Sequence, residues 1–189
     1  MPSQDGAPGA PLLRRRNPRA GDIDMPSHDA SLCYGGRTEA EERRAVVREA
    51  NTWIGTPFHH MGRVKGRTGG VDCAYCCALV YHAALPDRVP AMDFGYYAPT
   101  WNMSKKSAAP ERYLATVLAL PGVREVAAPS PGDLALFHWG LAWAHGAVVI
   151  DWPVIVHADM NAGFVALVLA NEGRLARRQR RFFSFWGNP

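Results

Sequence analysis

Long apolar runs are missing from this chain: no stretch of its 189 residues reaches the length of a membrane span, and the first 35 lack the apolar core of a secretory signal. Membrane insertion is therefore not expected, and synthesis in the cytoplasm without a signal peptide is. Cysteines are also scarce. Of the four, Cys73, Cys76 and Cys77 crowd into one helical turn, a spacing that builds no disulfide framework and points to a reducing place of synthesis. A zinc site is not expected either, because Cys33 lies in a polar stretch far from Cys73 and Cys76 and the spacings match no compact finger. The net charge of +4 suits acidic polymers, membrane surfaces or nucleic acid without choosing among them. No basic groove with interleaved aromatics is visible, so nucleic acid is not an expected partner, and no internal repeat is present.

What is present divides near Gly36. Residues 1–36 are Ser, Gly, Pro, Asp and Arg with hardly an apolar pair beyond Leu12-Leu13, a composition that cannot bury itself. They read as a disordered or partner-docked arm, or as a start called too early, with Met25 as the candidate true start. Residues 37–189 form one domain, since 48% hydrophobic content over the chain supplies a core of ordinary size without requiring a second. Thr38 with Glu41 makes a capping box, and Ala40, Ala45, Val46, Val47, Ala50, Trp53 and Ile54 give an apolar stripe that Gly55 and Pro57 end. A glycine-rich loop leads to a central helix from Cys73 to about Ala84. Residues 87–109 read as loop with an aromatic cluster, Phe94, Tyr96, Tyr97 and Trp101, suited to wall a cleft. Pro110 opens a short helix through Leu120. Strands follow at 133–138, 145–150, 154–158, 164–170 and 179–185.

The chemistry concentrates where the glycine-rich loop gives way to the central helix. Asp72 is the expected N-cap, which puts Cys73 in the first turn. The unpaired N–H groups and positive dipole end there favour thiolate over thiol. A nucleophile needs a base. Residues 144–158 read as a hairpin around Asp151-Trp152-Pro153; with a three-residue loop Ile150 faces Val154, Ala147 faces His157, and His145 is the diagonal neighbour of His157 on one face. A two-residue loop would send the two rings to opposite faces. On the same-face reading His145 is the base and His157 orients it.

These residues resemble the NlpC-type cell-wall peptidases, in particular the versions carried by tailed phages and gene transfer agents. The resemblance runs from about Glu39 to the end, through Trp53-Ile54-Gly55-Thr56-Pro57-Phe58-His59-His60, Gly62-Arg63 with Lys65-Gly66, Asp72-Cys73, Pro131-Gly132-Asp133-Leu134, His145-Gly146 and His157-Ala158. It implies an α+β, papain-like fold in which the helix carrying the nucleophile packs on an antiparallel sheet. It also implies hydrolysis of a peptidoglycan stem-peptide bond, usually D-γ-glutamyl to diaminopimelate, with no cofactor. By motif position Cys73 is the nucleophile, His145 the base and His157 the third residue. Phage-tail tip or baseplate hub proteins are the implied partners, and the virion tail the implied setting. Many relatives carry Tyr where this chain has Phe58, Tyr75 and Cys76 replace smaller or aliphatic residues, and Met61 stands where phage versions often have Gln. His59 or His60 is then the candidate replacement donor, with Asp72 beside the oxyanion site.

Duller readings stand beside these. Cys73 through Cys76 formally matches a redox Cys-x-x-Cys. His157 in a strand also suits a structural histidine, and Asp159 is a rival orienter. The Arg174, Arg177, Arg178, Arg180 and Arg181 cluster reads as a solvated strand edge, with a docking or wall-binding patch as the alternative. At the level of function the alternatives are a tail structural part with weak or no activity, and a related Cys-His amidase or acyltransferase.

Overall fold

In the computed structural model, residues 36–103 and 111–187 are described. The polar arm apart from Gly36, and with it Met25 and Cys33, lies outside the described residues, as does Pro110. Helix α1 (Glu39–Asn51) starts on the expected capping box: Thr38 accepts from the Glu41 N–H and the Glu41 carboxylate answers the Thr38 N–H. It stops earlier than Gly55, and its buried stripe is Glu42, Val46 and Ala50 rather than an all-apolar face. Glu42 is 1% exposed and is held there by Arg88 Nε at 3.0 Å and Trp186 Nε1 at 2.8 Å. A buried carboxylate needs such partners, because desolvation alone would cost several kcal/mol, on the order of the domain's whole stability.

The loop to the central helix is not wholly irregular, for β1 (Arg63–Val64) and β2 (Gly70–Val71) pair in it as a small antiparallel ribbon. Helix α2 (Cys73–Ala84) then begins where Asp72 caps the Tyr75 N–H at 3.0 Å. It is buried on nearly every side, through Tyr75, Cys76, Cys77, Ala78, Val80, Tyr81 and Ala84. After a 3-10 turn at Trp101–Met103 comes α3 (Arg112–Leu118), shorter than the expected helix. No helix among the described residues is long and apolar enough to cross a membrane.

Six strands follow: β3 (Arg124–Val126), β4 (Leu134–Trp139), β5 (Ala142–Asp151), β6 (Val154–Asp159), β7 (Phe164–Leu169) and β8 (Arg180–Ser184). They form one antiparallel sheet in the order β3-β8-β4-β5-β6-β7. Strand β3 has no counterpart in the sequence reading. Leu134, Leu136, Val148 and Val156 join the main core with α1 and α2, while their neighbours Ala135, Phe137, Ala147, Val149 and Ile155 build a second cluster with Leu175 and Phe182. Burial on both faces is why β4 and β5 read as continuous apolar runs rather than as alternation.

Two motifs turn out to hold these layers in place. Gly132 has φ +87°, a left-handed conformation that glycine adopts at least cost, and its carbonyl accepts from the Tyr81 hydroxyl at 2.9 Å. Asp133 accepts from Ser130 N at 2.8 Å and from Arg43 Nη1 at 2.8 Å, tying the turn before β4 to α1.

The β5–β6 hairpin corrects one step of the sequence reading. Its loop has two residues, not three, since Asp151 pairs with Val154 across Trp152 and Pro153. The ladder then shifts between Val149 and Asp151, leaving Val149 opposite Ile155 and Val148 opposite Val156. One bulged residue, Ile150, offsets the shorter loop, so the expected register holds beyond it. His145 and His157 therefore share a face, as the longer loop would also have made them do.

Candidate active site

Cys73 stands at the first position of α2, partly buried, and its Sγ meets the main chain of β5 on both sides of His145. The thiol donates to the Ala144 carbonyl at 3.7 Å, and the Gly146 N–H is near enough to act on the sulfur. His145 Nε2 lies 2.8 Å from His157 Nδ1, with the rings edge-on at 88°. No hydrogen bond joins the Cys73 thiol to an imidazole among the described residues; the thiol and the histidine pair instead line a common cavity of about 970 Å³.

The electrostatics differ from what a helix start alone would give. Burial pushes the Cys73 thiol above its ordinary range, the Asp72 carboxylate one residue back pushes the same way, and the Gly146 N–H only partly opposes them. Burial likewise holds His145 down to about 3, with His157 adding to the effect and Asp159 opposing it. His157 is lowered, also by burial, against Asp159. The resting site is thus a neutral thiol beside two neutral imidazoles. Moving the thiol proton onto His145 creates a pair with no net charge, which burial penalises far less than either ion alone.

Asp72 is 3% exposed and carries more than the helix cap. Its carboxylate accepts from the Met61 N–H at 2.8 Å and from the Tyr97 hydroxyl, and His60 Nδ1 lies 3.8 Å away. Met61 itself adopts φ +58°, in the left-handed region. The other His60 nitrogen, Nε2, must donate, because its partner at 2.7 Å is the Tyr97 carbonyl. Of the substrate and oxyanion candidates, Phe58, His60 and Asp72 line the cavity, whereas His59, one of the two candidate donors, is exposed and packs over Gly70. In sequence Tyr97 reads only as a cleft wall, yet it is the phenol that reaches Asp72. Tyr97→Phe is expected to cost about 1.5–3 kcal/mol, the range for a hydrogen bond to a charged group, read as a lower urea midpoint at pH 7. An unchanged midpoint would remove Tyr97 from the Asp72 network.

Gly146 is fixed by space. A Cβ there would overlap the Tyr113 hydroxyl and stand 3.1 Å from Cys77 Sγ. Gly146→Ala should destabilise by about 1–3 kcal/mol as overpacking. Adding Tyr113→Phe should recover part of that loss; if it recovers none, the Tyr113 contact is not its cause.

Cys76 and Cys77 are buried at 1% and 3% exposure, and all three described cysteines are free. Among the described residues no group of three or more His, Cys, Asp or Glu side chains is arranged to hold a metal ion. The Asp159 carboxylate, the rival orienter, accepts from the Asn161 main chain at 2.8 Å and from its side chain at 3.2 Å.

No family model and no curated protein matches the sequence. Solved structures do match the fold. The peptidoglycan hydrolase RipB of Mycobacterium tuberculosis aligns with a TM-score of 0.50 at 17% identity, over 79% of this chain and 67% of its own. NlpC1 of Trichomonas vaginalis aligns at 0.52 and 12% identity over 76% of this chain, and NlpC2 of the same organism at 0.51 and 13% over 79%. This chain spans 44% and 48% of the lengths of those two. The fold is that of the NlpC-type, papain-like domains: α+β, with the helix that bears Cys73 packed on an antiparallel sheet.

Proposed function

We propose that this chain is a cysteine peptidase that hydrolyses peptidoglycan stem peptides, at the D-γ-glutamyl to diaminopimelate bond. The observation that carries the reading is the meeting of Cys73 with the main chain flanking His145, beside the His145–His157 pair, in one cavity. In this mechanism His145 Nε2–H donates to His157 Nδ1, which leaves His145 Nδ1 free to take the thiol proton. The Cys73 sulfur attacks the amide carbonyl, and the Cys73 backbone N–H in the first helical turn stabilises the oxyanion. His145 then protonates the leaving amine and activates the water that releases the acyl group.

Purified peptidoglycan digested with the protein should yield fragments ending in D-glutamate and fragments with a new diaminopimelate amino terminus, identified by mass. Cleavage between sugar and peptide would replace this reading with the amidase one, and peptides joined to a new acceptor with the acyltransferase one. A second reading, a structural part that keeps the fold with little activity, is favoured by the thiol's bond to Ala144 and by Phe58; no new fragments would select it. Carriage in a phage or gene-transfer-agent tail rests on the sequence resemblance, and docking on tip or hub proteins through residues 1–36 on the polar composition of that arm. Antibody labelling of assembled particles tests it, and particles free of the chain would end it.

A further inference from the structure

The segment joining β7 to β8, with the start of β8, carries one carboxylate, Glu172, and five arginines. Two of the five have structural partners: Arg181 pairs with Glu125 at 2.5 Å, and Arg180 donates to the Ala176 carbonyl at 3.1 Å. Arg174, Arg177 and Arg178 form no ion pair among the described residues. Arg177 is exposed, as a solvated edge would have it, but Arg174 and Arg178 share a partner. The Arg174 guanidinium lies 5.1 Å, and that of Arg178 4.2 Å, from the centroid of one indole, Trp139. That same indole packs against the ring of His145 at 5.6 Å. Trp139, His145 and Arg174 all line the cavity that holds Cys73.

We propose that Arg174, which shares the Trp139 indole with Arg178, forms a carboxylate subsite that binds an acidic group on the residue next to the scissile bond. The proposal deepens the peptidase reading and rests on it for the identity of the ligand. Stacking on an indole holds a guanidinium plane while leaving its N–H edge free, which suits bidentate capture of a carboxylate better than a lysine's point charge would. Glu172 and Asp159 line the cavity with Arg174, yet the segment's five arginines against its one carboxylate, Glu172, leave its own charge positive, which favours an anion. Because the indole is shared, a substrate anchored on Arg174 sits beside the base. The subsite therefore sorts substrates by charge close to the reacting bond.

The test uses L-alanyl-γ-D-glutamyl-diaminopimelate as the free acid and as peptides amidated at one carboxyl at a time. Wild-type protein should favour the free acid over one of the amides by about tenfold to a hundredfold in kcat/KM, the range for a charge-assisted contact. In Arg174→Gln, and more fully with Arg178→Gln added, that ratio should collapse toward one, while Arg177→Gln keeps it. A ratio unchanged in Arg174→Gln, or already near one in wild type, overturns the subsite. The peptidase reading fails separately if wild type cleaves none of these peptides. In that case calorimetric titration of the Cys73→Ala protein with the same set decides the subsite: preference for the free acid that disappears in Arg174→Gln supports it, and equal or absent binding overturns it.

Discussion

Cys73→Ala is expected to abolish release of fragments from purified peptidoglycan, with Cys76→Ala and Cys77→Ala retaining most of it. Three thiols lie within five residues, so the contrast rests on place rather than on residue type. Only Cys73 reaches the cavity, at the first position of α2 and against the main chain around His145. Cys76 and Cys77 belong to the apolar core, and burial drives both thiols upward, Cys77 to about 12. A buried thiol of that kind behaves as a small hydrophobe, so its loss shortens the stability margin more than it touches turnover. Turnover should accordingly be measured per folded molecule. Iodoacetamide adds a second readout. Because the Cys73 pKa is raised, labelling should be slow at pH 7 and still be climbing past pH 9, whereas a thiol activated by its helix alone would label fast at pH 7 and level off there. Equal loss of activity in Cys76→Ala, with reversible inhibition by a dithiol oxidant, would point to redox chemistry between Cys73 and Cys76 and end the peptidase assignment.

Much of this frame could be read from short-range pattern. Thr38 and Glu41 announced the first helix, and Asp72 the second, because capping is decided by a few neighbouring residues. The pairing of His145 with His157 was also legible, although by two offsetting errors: a loop one residue shorter than expected and a bulge at Ile150 that restores the ladder. What stayed hidden depends on partners far apart in the chain. Glu42 enters the core because Arg88 and Trp186 meet it there, 46 and 144 residues away. Tyr97 lies in a segment with no secondary-structure period, so nothing local aims its hydroxyl at Asp72, 25 residues back. The arginines after β7 look like an edge in sequence, and only the fold brings Trp139 beneath two of them. The raised Cys73 thiol belongs to the same group: the helix start is local, but the burial that outweighs it is tertiary.

His145→Ala should lower turnover by about 10²–10⁴-fold, the usual worth of general acid–base help, whereas His157→Asn, which keeps an acceptor near the base, should leave partial activity. The pH dependence separates this from a structural role. The proposed mechanism needs neutral His145, and its pKa is depressed to about 3, so wild-type kcat/KM should hold as pH falls through 6.5, where an ordinary histidine would already be half protonated. Stability runs the other way. Below about pH 6.5 an unfolded chain takes up protons on these two histidines, while the folded site refuses them until nearer its own depressed values. The contribution is therefore fully present above the unfolded pKa and is lost as pH falls, at up to about 1.4 kcal/mol per pH unit for each histidine. Urea midpoints measured from pH 7 to pH 4.5 should fall less steeply in His145→Ala than in wild type, even though the variant is far less active. Parallel slopes in the two proteins, together with a wild-type rate that halves near pH 6.5, would show that His145 titrates freely and is not the base proposed for Cys73.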